Sequence, residues 1–163
     1  MVYTEQHIQA VLFRYLIERG HTFIAPNCCA LGYEADLISV TSSGLCWEFE
    51  IKVSSSDFYC DAKKGKHKWY MKALYGSLRK PESYVPSRFY YVVPEGLVSH
   101  EDIPEHAGLM ELVGEGCSVQ TVKTAPRLHA VELQFPTYRG IATSLMWKVF
   151  KGVVKHQTMV RTR

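Results

Sequence analysis

This chain of 163 residues lacks the features that would place it in several large functional classes. No apolar run approaches the ~20 residues that a helix needs to cross a bilayer, so no membrane role is expected. The start, Met1-Val2-Tyr3-Thr4, passes directly into a charged, periodic segment without signal-peptide character. There are five cysteines, an odd number, with Cys28 and Cys29 adjacent and no C-x-x-C spacing. That pattern excludes a disulfide framework and a thiolate zinc site, and it reads as reduced thiols in a cytoplasmic protein. No G-x-x-x-x-G-K-[ST] loop is present to cradle ATP phosphates, and no G-x-S-x-G elbow to present a serine nucleophile. His7, His21, His100, His106, His129 and His156 show no ligand spacing and read as structural or surface residues.

What is present is an ordinary globular composition, 47% hydrophobic and 21% charged, in a length that suits one domain with a real core. The net charge of +3 is mild but unevenly placed. Lys63, Lys64, Lys66, Lys68, Lys72, Arg79, Lys80 and Arg88 form one basic block. Arg127, Arg139, Lys148, Lys151, Lys155, Arg161 and Arg163 form another, and residues 95–115 between them carry only acids. Two basic blocks around an acidic one suggest a positive face for a polyanion such as DNA.

The periodicities give an element order. Thr4 caps a helix whose apolar residues Ile8, Val11, Leu12, Tyr15 and Leu16 recur at helical spacing until Gly20. Residues 21–25 read as a short strand ended by Pro26-Asn27. Residues 35–40 and 45–53 read as a hairpin around Thr41-Ser42-Ser43-Gly44. Ser54 to Asp57 offer cap chemistry for a helix over 58–79, interrupted near Gly65. Strands are expected at 88–93, 109–113 and 118–122. A last helix over 137–155 places Ile141, Leu145, Val149 and Val153 on one face, with Lys148, Lys151 and Lys155 opposite and a frayed tail at Arg161-Thr162-Arg163. The fold class is therefore α/β: an αβββαβ core over about residues 4–94 with a central mixed sheet flanked by helices. A strand-strand-helix extension over about 95–163 completes one domain.

The chemistry concentrates on the hairpin. In the second strand Leu45, Trp47, Phe49, Ile51 and Val53 point one way, and Cys46, Glu48, Glu50 and Lys52 the other. Glu50 and Lys52 are thus neighbours roughly 6 to 7 Å apart along the strand. Asp36, at the start of the partner strand, can be brought beside Glu50. Two adjacent carboxylates repel unless a cation sits between them, and Mg²⁺ uses this arrangement together with water and phosphate oxygens. Lys52 can position the water and offset charge that develops on the phosphate. Glu5, near the buried face of the first helix, is a further acid within reach. In Lys63-Lys64-Gly65-Lys66-His67-Lys68-Trp69-Tyr70, the lysines can neutralise phosphates while one aromatic anchors the helix to the sheet. His67 or Lys68 is a candidate auxiliary residue.

The arrangement of Glu5, Asp36 and Glu50-Ile51-Lys52, in that element order, resembles the PD-(D/E)XK nuclease superfamily, the restriction-endonuclease-like fold. The resemblance implies that Asp36, Glu50 and the Ile51 carbonyl hold Mg²⁺, with Mn²⁺ as a substitute. It also implies that Lys52 assists the water and that Glu5 is the first-helix acid. The proline of the family name is absent from Tyr33-Glu34-Ala35-Asp36, and Glu34 is a second acid that could serve in place of Glu5. Tyr91-Val92-Val93-Pro94-Glu95-Gly96-Leu97 and Ile103-Pro104-Glu105-His106-Ala107-Gly108-Leu109-Met110 are similar to a segment of the MmcB-like bacterial DNA-repair branch. The expectation is a Mg²⁺-dependent phosphodiesterase acting on DNA in repair, recombination or phage DNA processing. Lys63, Lys64, Lys66 and Lys68 are expected on the DNA, and a homodimer is expected if four-way junctions are cut. The alternatives are a DNA-binding scaffold that has lost the chemistry, and a nuclease acting on RNA.

Overall fold

Thr4 has extended backbone and its hydroxyl accepts the His7 N–H at 3.2 Å, so the first turn of α1 (Glu5–Glu18) is capped as its sequence dictates. Its periodic residues Ile8, Val11, Leu12 and Leu16 are all buried. In the computed structural model, which describes residues 3–81 and 85–161 (side chains to 151), α1 leads into β1 (His21–Cys28), β2 (Ala35–Thr41) and β3 (Cys46–Ile51). Next come α2 (Ser55–Asp61), α3 (Lys66–Leu74), β4 (Arg88–Pro94), β5 (Ala107–Val113), β6 (Ser118–Lys123) and α4 (Phe135–Arg161). The fold is α/β, and its first elements run in the expected αβββαβ order with the helical segment after β3 split in two.

The six strands form one mixed sheet in chain order, β1 to β6. β1–β2, β2–β3 and β5–β6 pair antiparallel, whereas β3–β4 and β4–β5 pair parallel. β1 runs past Ala25 through Pro26 and Asn27 to Cys28. A proline there is tolerated because β1 is an edge strand and needs no N–H on its outer side.

Strand alternation sorts side chains onto two faces. Leu37, Phe49, Ile51, Tyr90, Val92, Met110 and Leu112 pack under α1. On the opposite face, Phe89, Tyr91, Val93 and Leu109 pack with Phe58 of α2 and with Tyr70 and Ala73 of α3. Ala25, Ile38, Val40 and Cys46 pack with Ile141, and Tyr138 and Leu145 are partly buried against them. At Gly108 of β5 a Cβ would lie 2.6 Å from the Ala125 backbone nitrogen, so glycine allows the following chain to close over β5.

The expected apolar stripe of α4 is only partly used. Ile141 is buried and Leu145 half-buried against the β1–β3 cluster, but Val149 is exposed. The side chains of Val153, Lys155, His156 and Arg161, and residues 162 and 163, lie outside the described residues. All five cysteines are free thiols. Among the described residues, no helix is long and apolar enough to cross a membrane.

Candidate active site

β3 supplies the centre of the site. Its polar face does carry Cys46, Glu48 and Glu50, followed by Lys52 just past the strand, but that face is buried under α2 and α3. The Lys52 N–H continues the ladder by donating to Val92 O at 3.1 Å, which keeps Lys52 in register with Glu50. Asp36 lies across the β2–β3 hairpin. The pairing of Leu37 with Phe49 carries it to the end of β3, where its Oδ2 accepts the Ile51 N–H at 2.7 Å.

Around these residues lies a network of alternating charge. Glu50 is 2% exposed, and its Oε1 accepts from Lys52 Nζ at 2.8 Å and Lys64 Nζ at 2.7 Å. Its Oε2 accepts from Lys66 Nζ at 2.5 Å, and that same ammonium reaches Glu48 Oε1 at 2.9 Å. Tyr70 donates to Glu48 Oε2 at 2.7 Å. Lys64 also pairs with Asp61 Oδ1 at 2.5 Å, and Lys52 lies 3.6 Å from the same oxygen. Three buried carboxylates, Glu48, Glu50 and Asp61, thus face three ammonium groups, Lys52, Lys64 and Lys66. Burying ions is costly, and pairing of this kind is what makes it tolerable.

Protonation follows from the packing. Burial and the charge of Glu50 push Asp36 up to about 6, against the pull of the Ile51 N–H and Lys52; Glu5 adds to the rise. Burial would lower Lys52, but its hydrogen bond and charge interaction with Glu50, together with Asp61, raise it above the ordinary lysine value. Lys52 is therefore an ammonium ion at neutral pH. Asp61 sits well below the usual carboxylate range: burial opposes this, but hydrogen bonds from His67, Lys64 and Tyr91 outweigh it.

A second chain of contacts runs inward from Asp61. His67 Nε2 lies 3.0 Å from Asp61 Oδ2, and His67 Nδ1 lies 3.0 Å from His106 Nε2. With Asp61 ionised, His67 donates to it through Nε2, while His67 Nδ1 and His106 Nε2 share one proton, and His106 Nδ1 is buried without a hydrogen-bond partner. Burial first, then His67, Lys123 and Lys66, depress His106 to about 4. The unfolded chain protonates there near 6.5, so between these values it binds more protons than the folded chain. Stability from this residue is complete above pH 6.5 and is lost as pH falls toward 4, by up to about 3 kcal/mol. Thermal melts of wild type and His106→Gln across that window are expected to show a shallower pH dependence for the variant. Equal slopes would contradict the assignment.

The structure brings together Asp36, Glu50, Ile51 and Lys52 as the sequence indicates. Glu5 is exposed on α1 and meets the site through Gln9, whose amide lies 3.3 Å from Glu5 Oε1 and donates to Asp36 O at 3.0 Å. Glu34 is exposed. Lys63 and Lys68 are exposed, as a phosphate-facing role requires. Lys64 is half-exposed, but its ammonium is held by Glu50 and Asp61. Lys66 overturns its expectation: it is 1% exposed and faces Glu48 and Glu50, so it cannot meet DNA. The reason is the turn at Gly65, after which Lys66, Tyr70 and Ala73 share the buried face of α3. Tyr70 is the anchoring aromatic of this segment and Trp69 is exposed.

Sequence reasoning missed Glu48, Asp61, Tyr91 and His106 as members of the site. Glu48 was signalled by strand alternation, which placed it on the face of Glu50. His106 carried no local signal, because β5 brings it in from 39 residues beyond His67. Among the described residues, no group of three or more His, Cys, Asp or Glu side chains is arranged to hold a metal.

The molecule is thus an α/β domain with a mixed six-stranded sheet and a buried, charge-balanced cluster beside Asp36. No family model and no curated protein matches the chain. A similar solved structure is described as the SPO1766 protein of unknown function from Silicibacter pomeroyi. It has a TM-score of 0.64 and 19% identity, and the match covers 90% of this chain and 89% of that one. The likeness shows a shared fold across nearly the whole chain.

Proposed function

We propose that this chain is a metal-dependent nuclease of the PD-(D/E)XK type that hydrolyses phosphodiester bonds in DNA. The observation that carries the reading is Asp36 poised beside Glu50. Its Oδ2 is fixed by the Ile51 N–H, and its ionised form is disfavoured by burial and by the Glu50 charge. A carboxylate pair in that condition favours a cation.

The donors are hard oxygens, the kind that Mg²⁺ takes, although in this structure Glu50 is held by lysines on both oxygens. Asp36 and Glu50 would supply carboxylate oxygens, the Ile51 carbonyl would be the third donor by resemblance, and Mg²⁺ ordinarily takes few protein ligands and keeps several waters. Lys64 is the half-exposed partner of Glu50 and is the one able to swing away from it. When bound, the ion would polarise the phosphate and lower the pKa of an attacking water. The protein's own groups do the rest. Asp36 and Glu50 would fix the position of that charge, Lys52 sets an ammonium on the same face, and exposed Lys63 and Lys68 would engage phosphates.

Supercoiled plasmid with Mg²⁺ or Mn²⁺, against an EDTA control, tests the activity. Wild type is expected to nick only with metal, and Asp36→Asn to be slower by at least about 100-fold. Metal-independent nicking, or equal nicking by both proteins, would overturn the reading. A second reading is favoured by the full pairing of Glu50 with three lysines: a DNA-binding scaffold that is stable without metal. It predicts salt-sensitive binding with no nicking by the wild type.

A further inference from the structure

α4 carries five cations in its sequence, Arg139, Lys148, Lys151, Lys155 and Arg161, and no Asp or Glu. Its flank away from the core exposes Trp147 (57%) and Phe150 (58%), with Met146 beside them. The two aromatic rings stand nearly perpendicular, with centroids 5.7 Å apart, and both side chains remain more than half exposed. A groove of about 530 Å³ is lined by Ser144, Trp147, Lys148 and Lys151. Trp147 and Lys151 are one helical turn apart, so an aromatic face and an exposed ammonium share one flank.

This flank adjoins the candidate active site. Lys148 Nζ donates to the carbonyls of Pro26 and Asn27 at 2.6 and 2.5 Å, clamping α4 to the end of β1. The pairings of Pro26 with Leu37 and of Cys28 with Ala35 set Asn27 opposite Asp36. Gln9 links the two by donating to Asn27 Oδ1 at 2.9 Å and to Asp36 O at 3.0 Å.

We propose that the Trp147–Lys151 flank of α4 binds an unpaired DNA strand, with Trp147 stacking on a base and Lys151 facing the phosphates. The inference rests on the Asp36–Glu50 edge being a DNA-cleaving site, and it names that site's substrate as one with a single-stranded portion. An aromatic face beside a cation is the arrangement that holds single strands without regard to sequence. Charge decides between occupants. A second copy of α4 would set cations against cations, whereas a strand brings one negative charge per nucleotide to an acid-free helix.

Fluorescence anisotropy with a labelled oligothymidylate, and with a duplex of equal length, tests this in EDTA, where cleavage is not required. Trp147→Ala is expected to weaken strand binding about tenfold, Trp147→Phe to restore most of it, and Lys151→Gln to flatten the salt dependence. Duplex binding should stay within about twofold, and the melting temperature should hold because Trp147 is exposed. Unchanged strand binding by Trp147→Ala, or an equal loss on duplex, would overturn the proposal. So would sedimentation of the wild type as a dimer that Trp147→Ala dissociates without effect on strand binding. Trp147-dependent strand binding in a protein that never nicks would overturn the nuclease reading and leave the strand site supported.

Discussion

Lys66→Met is expected to lower stability by about 3–5 kcal/mol, because it leaves two buried carboxylates facing each other without their shared cation. Lys66 Nζ lies 2.9 Å from Glu48 Oε1 and 2.5 Å from Glu50 Oε2, and all three side chains are almost wholly buried. Methionine fills similar space, so the loss reports charge rather than a cavity. Glu50 keeps Lys52 and Lys64, whereas Glu48 keeps only the Tyr70 hydroxyl. The charge left uncompensated is therefore that of Glu48. For a domain of this size the melting temperature should fall by roughly 10–15 °C. Adding Glu48→Gln should recover more than half of the loss, since a neutral amide can still accept from Tyr70. A single variant melting within about 3 °C of wild type would show that the lysine contributes no net stability.

The same residue marks where the sequence stopped being legible. A lysine in Lys63-Lys64-Gly65-Lys66-His67-Lys68 reads as one of a basic run facing phosphate. Gly65 breaks the run, and the spacing of Lys66, Tyr70 and Ala73 puts Lys66 on the inner face of α3. That spacing was in the sequence, but charge composition outweighed it. The hairpin was more readable because a strand repeats every two residues. The face carrying Glu48, Glu50 and Lys52 followed directly from alternation, and only its burial under α2 and α3 required tertiary structure. The ends of α1 and the break near Gly65 were local chemistry and were legible. Asp61 and His106 were not, since their roles arise where α2 and β5 converge on β3 and β4 through pairings distant in sequence. The outward turn of α4 was also hidden. Val149 has the right spacing for the inner face but is exposed, and α4 packs on the sheet through Tyr138, Ile141 and Leu145.

Lys52→Ala is expected to slow metal-dependent nicking by at least about 100-fold while leaving Mn²⁺ binding within about threefold. The argument turns on the state of its side chain. Glu50 and Asp61 hold Lys52 as an ammonium ion, so it cannot act as the base that takes a proton from water. What it offers is a fixed positive charge on the face shared with Glu50, worth most when negative charge grows on the phosphate. Lys52→Gln separates this from simple positioning, because glutamine can hydrogen-bond a water but carries no charge. If charge is the contribution, alanine and glutamine variants are equally slow; a glutamine variant that recovers activity would assign Lys52 to positioning instead. Stability is a weak confounder, because Glu50 retains Lys64 and Lys66 when Lys52 is removed. That redundancy predicts a separation within one network: the buried Lys66 acts on folding, and Lys52, at the end of the strand beside Asp36, acts on the rate.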